Sequence, residues 1–202
     1  MMYRIEKVLN HNTVMAIHQD DHKEVLIMGK GVGFGRKVAE RIEVRPEDRL
    51  YSLQKYKERG GAKEIVKSIA PEFLELTNAV LGEAEKVFGK IDRMVLFPLA
   101  DHIAFAVKRI QNHEQISNPL TEDIRVLFHM EFKAAESIRP LLQKQFGIDI
   151  EDDEVGYVAL HIHSAIEDEK VSQAMQMARS VRECISMVEE AIGKPIDIAS
   201  LS

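Results

Sequence analysis

Residues 29–37 read Gly29-Lys30-Gly31-Val32-Gly33-Phe34-Gly35-Arg36-Lys37: four glycines at alternate positions, with three cations and one aromatic among them. Two nucleotide-binding motifs can be tested on this run. A phosphate loop needs Gly-Lys five and six positions after its first glycine. Counting from Gly29 gives Phe34-Gly35, and from Gly31 gives Arg36-Lys37. A dinucleotide fingerprint, GxGxxG, needs a glycine where Phe34 or Arg36 stands. Both motifs fail. Two readings remain open. Bare glycine backbone lets a ribose–phosphate chain approach closely, with Phe34 as a stacking face and Lys30, Arg36 and Lys37 as phosphate contacts. Glycine's freedom at positive φ equally suits a tight turn whose cations are simply solvated.

The segments around this run read as β structure. Tyr3–Leu9, Thr13–His18, Glu24–Met28 and Arg49–Leu53 are short and rich in β-branched and aliphatic residues. Between them lie Asn10-His11-Asn12, Gln19-Asp20-Asp21-His22 and the glycine run, all suited to tight turns. The pattern predicts hairpins of an antiparallel sheet. A core of about 55 residues is marginal, so such a module is expected to dimerise. The polar stretch Tyr56–Lys63, with Gly60-Gly61, reads as a linker. Beyond it the period becomes helical. Ile65, Ile69, Phe73, Leu76, Val80, Leu81 and Ala84 form one stripe, and Leu96, Leu99, Ile103, Ala106, Val107 and Ile110 form a second. After the break at Asn118-Pro119, Thr121–Gly147 gives one long or two short helices, with Pro140 as a kink or start. Asp152 or Asp153 is expected to cap a helix through Ile166, and Ser172–Gly193 forms the last helix. Met175, Met177 and Met187 read as helix packing. The fold class is α+β with two domains: a small antiparallel β-sheet followed by an all-α bundle.

Composition bounds the function classes. The 202 residues are 45% hydrophobic and 30% charged, ordinary for a globular protein. No run approaches the ~18 apolar residues of a membrane span, and the N-terminus lacks the apolar core of a signal peptide. Cys184 is the single cysteine, which excludes an internal disulfide and favours a reducing cytoplasm. The net charge of −6 is uneven. Residues 1–60 carry 12 Lys and Arg against 9 Asp and Glu, while the remainder carries 15 against 24. That split suits a chain whose first part alone touches phosphates, though an excess of three charges also arises by chance.

Histidines are the second feature. Asp101-His102 falls within the second stripe, and His161 and His163 flank Ile162. On a helix, residues two apart point about 200° from one another, so His161 and His163 cannot share a metal. His102, Asp101 and His161 could act as metal ligands, acid–base groups or phosphoryl acceptors, or as structural histidines. Asp152-Asp153-Glu154 reads as helix-start acids rather than a metal site.

Four motifs in order carry a resemblance over essentially the whole chain: Lys7-Val8-Leu9-Asn10-His11-Asn12, Met28 through Phe34, Asp101-His102-Ile103-Ala104-Phe105-Ala106, and Gly156 through Ala165. The chain resembles the BglG/SacY family of transcriptional antiterminators, most closely its glucose-type branch. The resemblance implies a dimerising co-antiterminator domain over residues 1–58 that binds an RNA hairpin in an mRNA leader. It implies RNA contacts at Lys7, Asn12, Gly29, Lys30, Gly31 and Phe34, with Arg36 and Lys37 as further candidates. Lys30 stands where some relatives have arginine, which keeps charge and loses bidentate geometry. Residues 64–170 resemble a phosphotransferase-system (PTS) regulation domain, with His102 and His161 as phosphoacceptors and His163 as a neighbour typical of the glucose branch. The implied partners are a second copy and PTS proteins, HPr or a sugar-specific enzyme II; no cofactor is implied. Residues 171–202 resemble the opening of a second regulation domain, truncated here. Glu151 replaces a proline common in relatives. Two rival readings stand beside this one: a metal-dependent enzyme using His102, Asp101 and His161, and a sugar-binding sensor, which the scarcity of aromatics disfavours.

Overall fold

The computed structural model describes residues 1–54, 61–114, 116–167 and 169–196. The chain divides into two compact units, Met1–Asn78 with Leu96–Ala104, and Ala79–Val95 with the residues from Phe105 onward.

The first unit is built on a five-stranded antiparallel sheet. Its strands are β1 (Met2–Asn10), β2 (Thr13–His18), β3 (Glu24–Met28), β4 (Arg41–Glu43) and β5 (Arg49–Ser52), in the spatial order β4-β1-β2-β3-β5. The register Val8↔Val14, Ala16↔Val25 and Val14↔Ile27 gathers the apolar side chains on one face. Tyr3, Ile5, Val14, Ala16, Val25, Ile27, Val32 and Ile42 form that core. Strand β4 has no counterpart in the sequence expectation. Three residues are too few for alternation to declare a strand, and its pairing with Met2–Arg4 is long-range.

The helical part of this unit holds onto the sheet. Residues 55–60, most of the expected linker, lie outside the described residues, but Gly61–Lys63 is not linker: it opens helix α1 (Gly61–Ser68). Lys63 on α1 pairs with Glu24 of β3 and lies 3.7 Å from Glu6 of β1. The single stripe expected from Ile65 to Ala84 is two helices, because Pro71 starts α2 (Pro71–Phe88). Proline suits a first helical position, where its missing N–H has no bond to lose. Tyr51 is buried, donates to Asn78 Oδ1 at 2.7 Å and meets the Phe97 ring edge-on at 6.0 Å. Phe97 belongs to α3 (Leu96–Gln111), entered through a 3₁₀ turn at Arg93–Val95.

The second unit is helical. Thr121–Gly147 contains three helices, α4 (Thr121–Leu127), α5 (His129–Ala135) and α6 (Ile138–Phe146), rather than one or two. The backbone leaves helical geometry at Phe128, which points a buried ring inward. Pro140 falls in the first turn of α6, where it costs no hydrogen bond. The unit centres on α7 (Asp152–Glu167), which packs against α4, α5 and α8 (Val171–Ile192). Asp152 and Asp153 lie inside the first turn of α7 and not at its cap. Asp152 binds Arg125 at 2.5 Å and also Arg139, while Asp153 accepts from Thr121. The acids therefore stitch α7 to α4 and α6. Helix α8 ends at Gly193, φ +68, in a left-handed cap. Its Met177 and Met187 are exposed, contrary to the packing role expected of them.

Leu160 is fully buried in α7. Leu160→Ala is expected to lower stability by about 2–5 kcal/mol, read from denaturant unfolding of the full chain.

Candidate functional site

The glycine run lies against the turn joining β1 and β2. Gly29 N–H donates to the Asn12 carbonyl and Gly33 N–H to the His11 carbonyl, each at 2.9 Å. Between them, Gly31 N–H donates to Asn12 Oδ1 at 2.8 Å. Asn12 thus binds the loop through both backbone and side chain. The alternate glycines serve two different needs. Gly31 and Gly35 have positive φ, +71° and +67°, and open space where a side chain would project. Gly29 and Gly33 are close approaches. A Cβ at Gly33 would stand 2.2 Å from the Asn10 carbonyl oxygen, and one at Gly29 would stand 1.8 Å from Asp48 Oδ1.

Asp48 buttresses the loop from behind. Its carboxylate is buried and accepts from the Arg45 backbone N–H at 2.9 Å and from the guanidinium at 2.7 and 3.1 Å. Arg45 also donates to the Lys30 carbonyl at 2.8 Å. Burial opposes the charged carboxylate, but the side-chain and backbone hydrogen bonds from Arg45 outweigh it and hold the Asp48 pKa below its ordinary value. Sequence reasoning missed this pair. The signal available was Arg45-Pro46-Glu47-Asp48, a proline turn with an acid placed to cap it.

The outward face carries the side chains expected to bind. Phe34 is 68% exposed, and its ring meets His11 edge-on at 5.2 Å. Lys7, Lys30, Arg36 and Lys37 are exposed; Arg36 lies 3.8 Å from Glu40. Gly29, Lys30, Gly31 and Phe34 of the loop are brought against Asn12 of the β1–β2 turn, together with Asn10 and His11, which were not among the expected contacts. Lys7 projects from β1, just past the irregularity between Ile5 and Lys7.

The histidines divide between units. His102, partly buried on α3 beside the exposed Asp101, belongs to the first unit, and His161 and His163 to the second. On α7, His161 is buried, while His163 lies partly buried against the Phe128 ring at 4.4 Å. His163 Nδ1 is 3.0 Å from Glu131 Oε1. The two rings thus occupy different surroundings, as 200° of separation requires. Among the described residues, no three His, Cys, Asp or Glu side chains gather as metal ligands, and no helix is long and apolar enough to cross a membrane.

Gly33→Ala drives a side chain into backbone and is expected to destabilise the first unit by at least about 2 kcal/mol, more than Gly31→Ala, where only the left-handed φ costs about 1–2 kcal/mol; thermal unfolding of the two variants compares them. Acid is expected to loosen the loop. The lowered Asp48 pKa contributes stability that is present above the unfolded-state value near 3.8 and is lost as pH falls through the lower folded value. Asp48→Asn is expected to flatten that acid limb, measured by urea unfolding across pH.

Residues 3–60 match the CAT RNA binding domain family and residues 75–165 match the PRD domain family. The chain is 29% identical to the GlcA/glcB genes antiterminator of Staphylococcus carnosus, over 98% of this chain and 70% of that protein. It is 24% identical to the Beta-glucoside operon antiterminator of Dickeya chrysanthemi, over 92% of this chain and 66% of that one. The crystal structure of GlcT CAT-PRDI superposes with a TM-score of 0.70 at 30% identity, covering 83% of this chain and 99% of that one. The two sequence relatives are named as antiterminators and not as enzymes, so the metal-dependent enzyme reading gives way. The four motifs, the five-stranded module with its glycine loop and the helical region that follows it in sequence all agree: the chain belongs to the BglG/SacY family of transcriptional antiterminators, in its glucose-type branch.

Proposed function

We propose that this protein binds a hairpin in a nascent leader transcript, blocks the overlapping terminator, and is controlled by phosphorylation of its histidines. The observation that carries the reading is the exposed loop of residues 29–37 within the segment matching an RNA-binding family, with Phe34 outward and cations on both sides. Residues 1–58 form the RNA-binding module and act as a dimer. Lys7, Lys30, Arg36 and Lys37 contact phosphates, Asn12 and the bare backbone of Gly29 and Gly31 meet the ribose–phosphate chain, and Phe34 stacks on a base. The domain spanning residues 64–170 receives phosphoryl groups on His102, His161 or His163 from HPr or a sugar-specific enzyme II of the phosphotransferase system. Residues 171–202 open a second regulation domain. Each phosphoryl group brings about −1.5 to −2 charges to one point, enough to change how two protomers pack and so bias the RNA module between dimer and monomer. The protein acts in the cytoplasm, where leader transcripts are made.

Titration of the full chain with a labelled leader hairpin tests the RNA surface. Phe34→Ala is expected to weaken binding about tenfold or more, since base–aromatic stacking is worth about 1–3 kcal/mol per base. Lys30→Ala is expected to weaken it and to lower the salt slope by about one. Unchanged affinity in both would refute the surface. Phosphopeptide mapping after incubation with phosphotransferase proteins is expected to find the label on His102, His161 or His163.

A further inference from the structure

The two asparagines beside the glycine loop are held by a carboxylate from the helical part of the same unit. Asn10 Nδ2 donates to Glu75 Oε1 at 2.5 Å, and Asn12 Nδ2 donates to Glu75 Oε2 at 3.2 Å. Glu75 lies in α2, whose Asn78 also receives the Tyr51 hydroxyl, so this helix is fixed to the sheet on either side of one turn. Asn10 Oδ1 accepts the Asn12 backbone N–H at 2.9 Å, and Asn12 Oδ1 accepts Gly31 N–H. The Asn10 oxygen is therefore committed to the β1–β2 turn, the Asn12 oxygen to the glycine loop, and both side-chain amides to Glu75.

A carboxylate presents two anionic oxygens about as far apart as the non-bridging oxygens of a phosphodiester. Amide donors that satisfy one satisfy the other. We propose that Glu75 determines the RNA affinity of this surface by occupying the Asn10–Asn12 amides where an RNA phosphate would bind. The inference rests on the RNA surface proposed above. Two costs follow for incoming RNA. The Glu75 bonds must break before the amides can turn to phosphate, and an anion left beside a polyanion repels it. Direct contact puts the charge well inside the Debye length of about 8 Å at physiological salt, so salt does not remove the effect. The helix that carries Glu75 thereby sets the RNA surface to a weaker-binding state.

The test is titration of the full chain with the leader hairpin, comparing wild type with Glu75→Gln, which keeps shape and removes charge. Glu75→Gln is expected to tighten binding about tenfold, and the gain is expected to shrink in an Asn10→Ala background, where one of the two amides is missing. Proton–nitrogen spectra are expected to show the Asn10 and Asn12 side-chain amide signals shifting both in Glu75→Gln and when RNA is added to wild type. Unchanged or weaker binding by Glu75→Gln, with Phe34→Ala still weakening binding, would overturn the role of Glu75 and leave the RNA surface standing. An equal gain in the presence and absence of the Asn10 amide would overturn it too, since repulsion at a distance would then explain the effect. If Phe34→Ala also had no effect, the surface itself would fall, and the inference with it.

Discussion

The first unit depends on the backbone of residues 29–33 lying directly on the turn between β1 and β2. Three N–H groups, those of Gly29, Gly31 and Gly33, reach Asn12 or His11. Such closeness is possible at Gly33 only because no side chain intervenes, while Gly29 is decided from the other side, where Asp48 leaves no room for a Cβ. The chain must also curl back between these contacts, which decides Gly31 and Gly35. Once docked, the loop has its donors on the inside and its side chains outside. Val32 is the exception that fastens it, entering the core beside Val8 and Val14 while Lys30 and Phe34 face solvent.

A loop of this kind is thinly supported by hydrophobic burial, and polar contacts make up the difference. The Asp48 carboxylate is desolvated, and it is tolerable only because Arg45 supplies side-chain and backbone donors. Arg45 in turn fixes the Lys30 carbonyl. From there the network runs through Gly31, Asn12 and Asn10 to Glu75. Apart from the peptide unit that joins the Lys30 carbonyl to Gly31 N–H, the links are hydrogen bonds, so displacement at one end is felt as an unsatisfied group at the next. The helical region uses the same device differently. Asp152, Asp153 and Glu154 bind Arg125, Arg139, Thr121 and Arg109, and these bonds fix the start of α7 and with it the environments of His161 and His163.

Much of this was legible in the sequence where the information is local. The alternation that opens β1, the β-branched and aliphatic runs of β2 and β3, and the apolar stripe of α3 are local signals, set by which faces must be buried. The glycine run announced a backbone with special needs, and its failure to match either nucleotide motif turned attention to a different ligand. What stayed hidden was long-range. Arg41–Glu43 is a strand only because Met2–Arg4 is its neighbour. The stripe from Ile65 to Ala84 reads as continuous because its apolar spacing carries on through Pro71 without a gap. Thr121–Gly147 hid its breaks at Phe128 and Glu136-Ser137 because neither is marked by glycine or proline.

The same distinction separates the two kinds of site residue. Phe34, Lys30 and the glycines could be found because their types are unusual at that spacing. Asn10, His11, Asp48 and Glu75 are ordinary residues made significant by what lies across from them. Glu75 is the extreme case, sixty-five positions from Asn10 yet hydrogen-bonded to its amide at 2.5 Å. Its carboxylate gives α2 a direct hold on the two asparagines of the β1–β2 turn, within the first unit. Control of the loop therefore does not require a large rearrangement of the sheet. Breaking the two Glu75 bonds would free both amides while β1, β2 and the glycine contacts to the Asn12 backbone stayed in place.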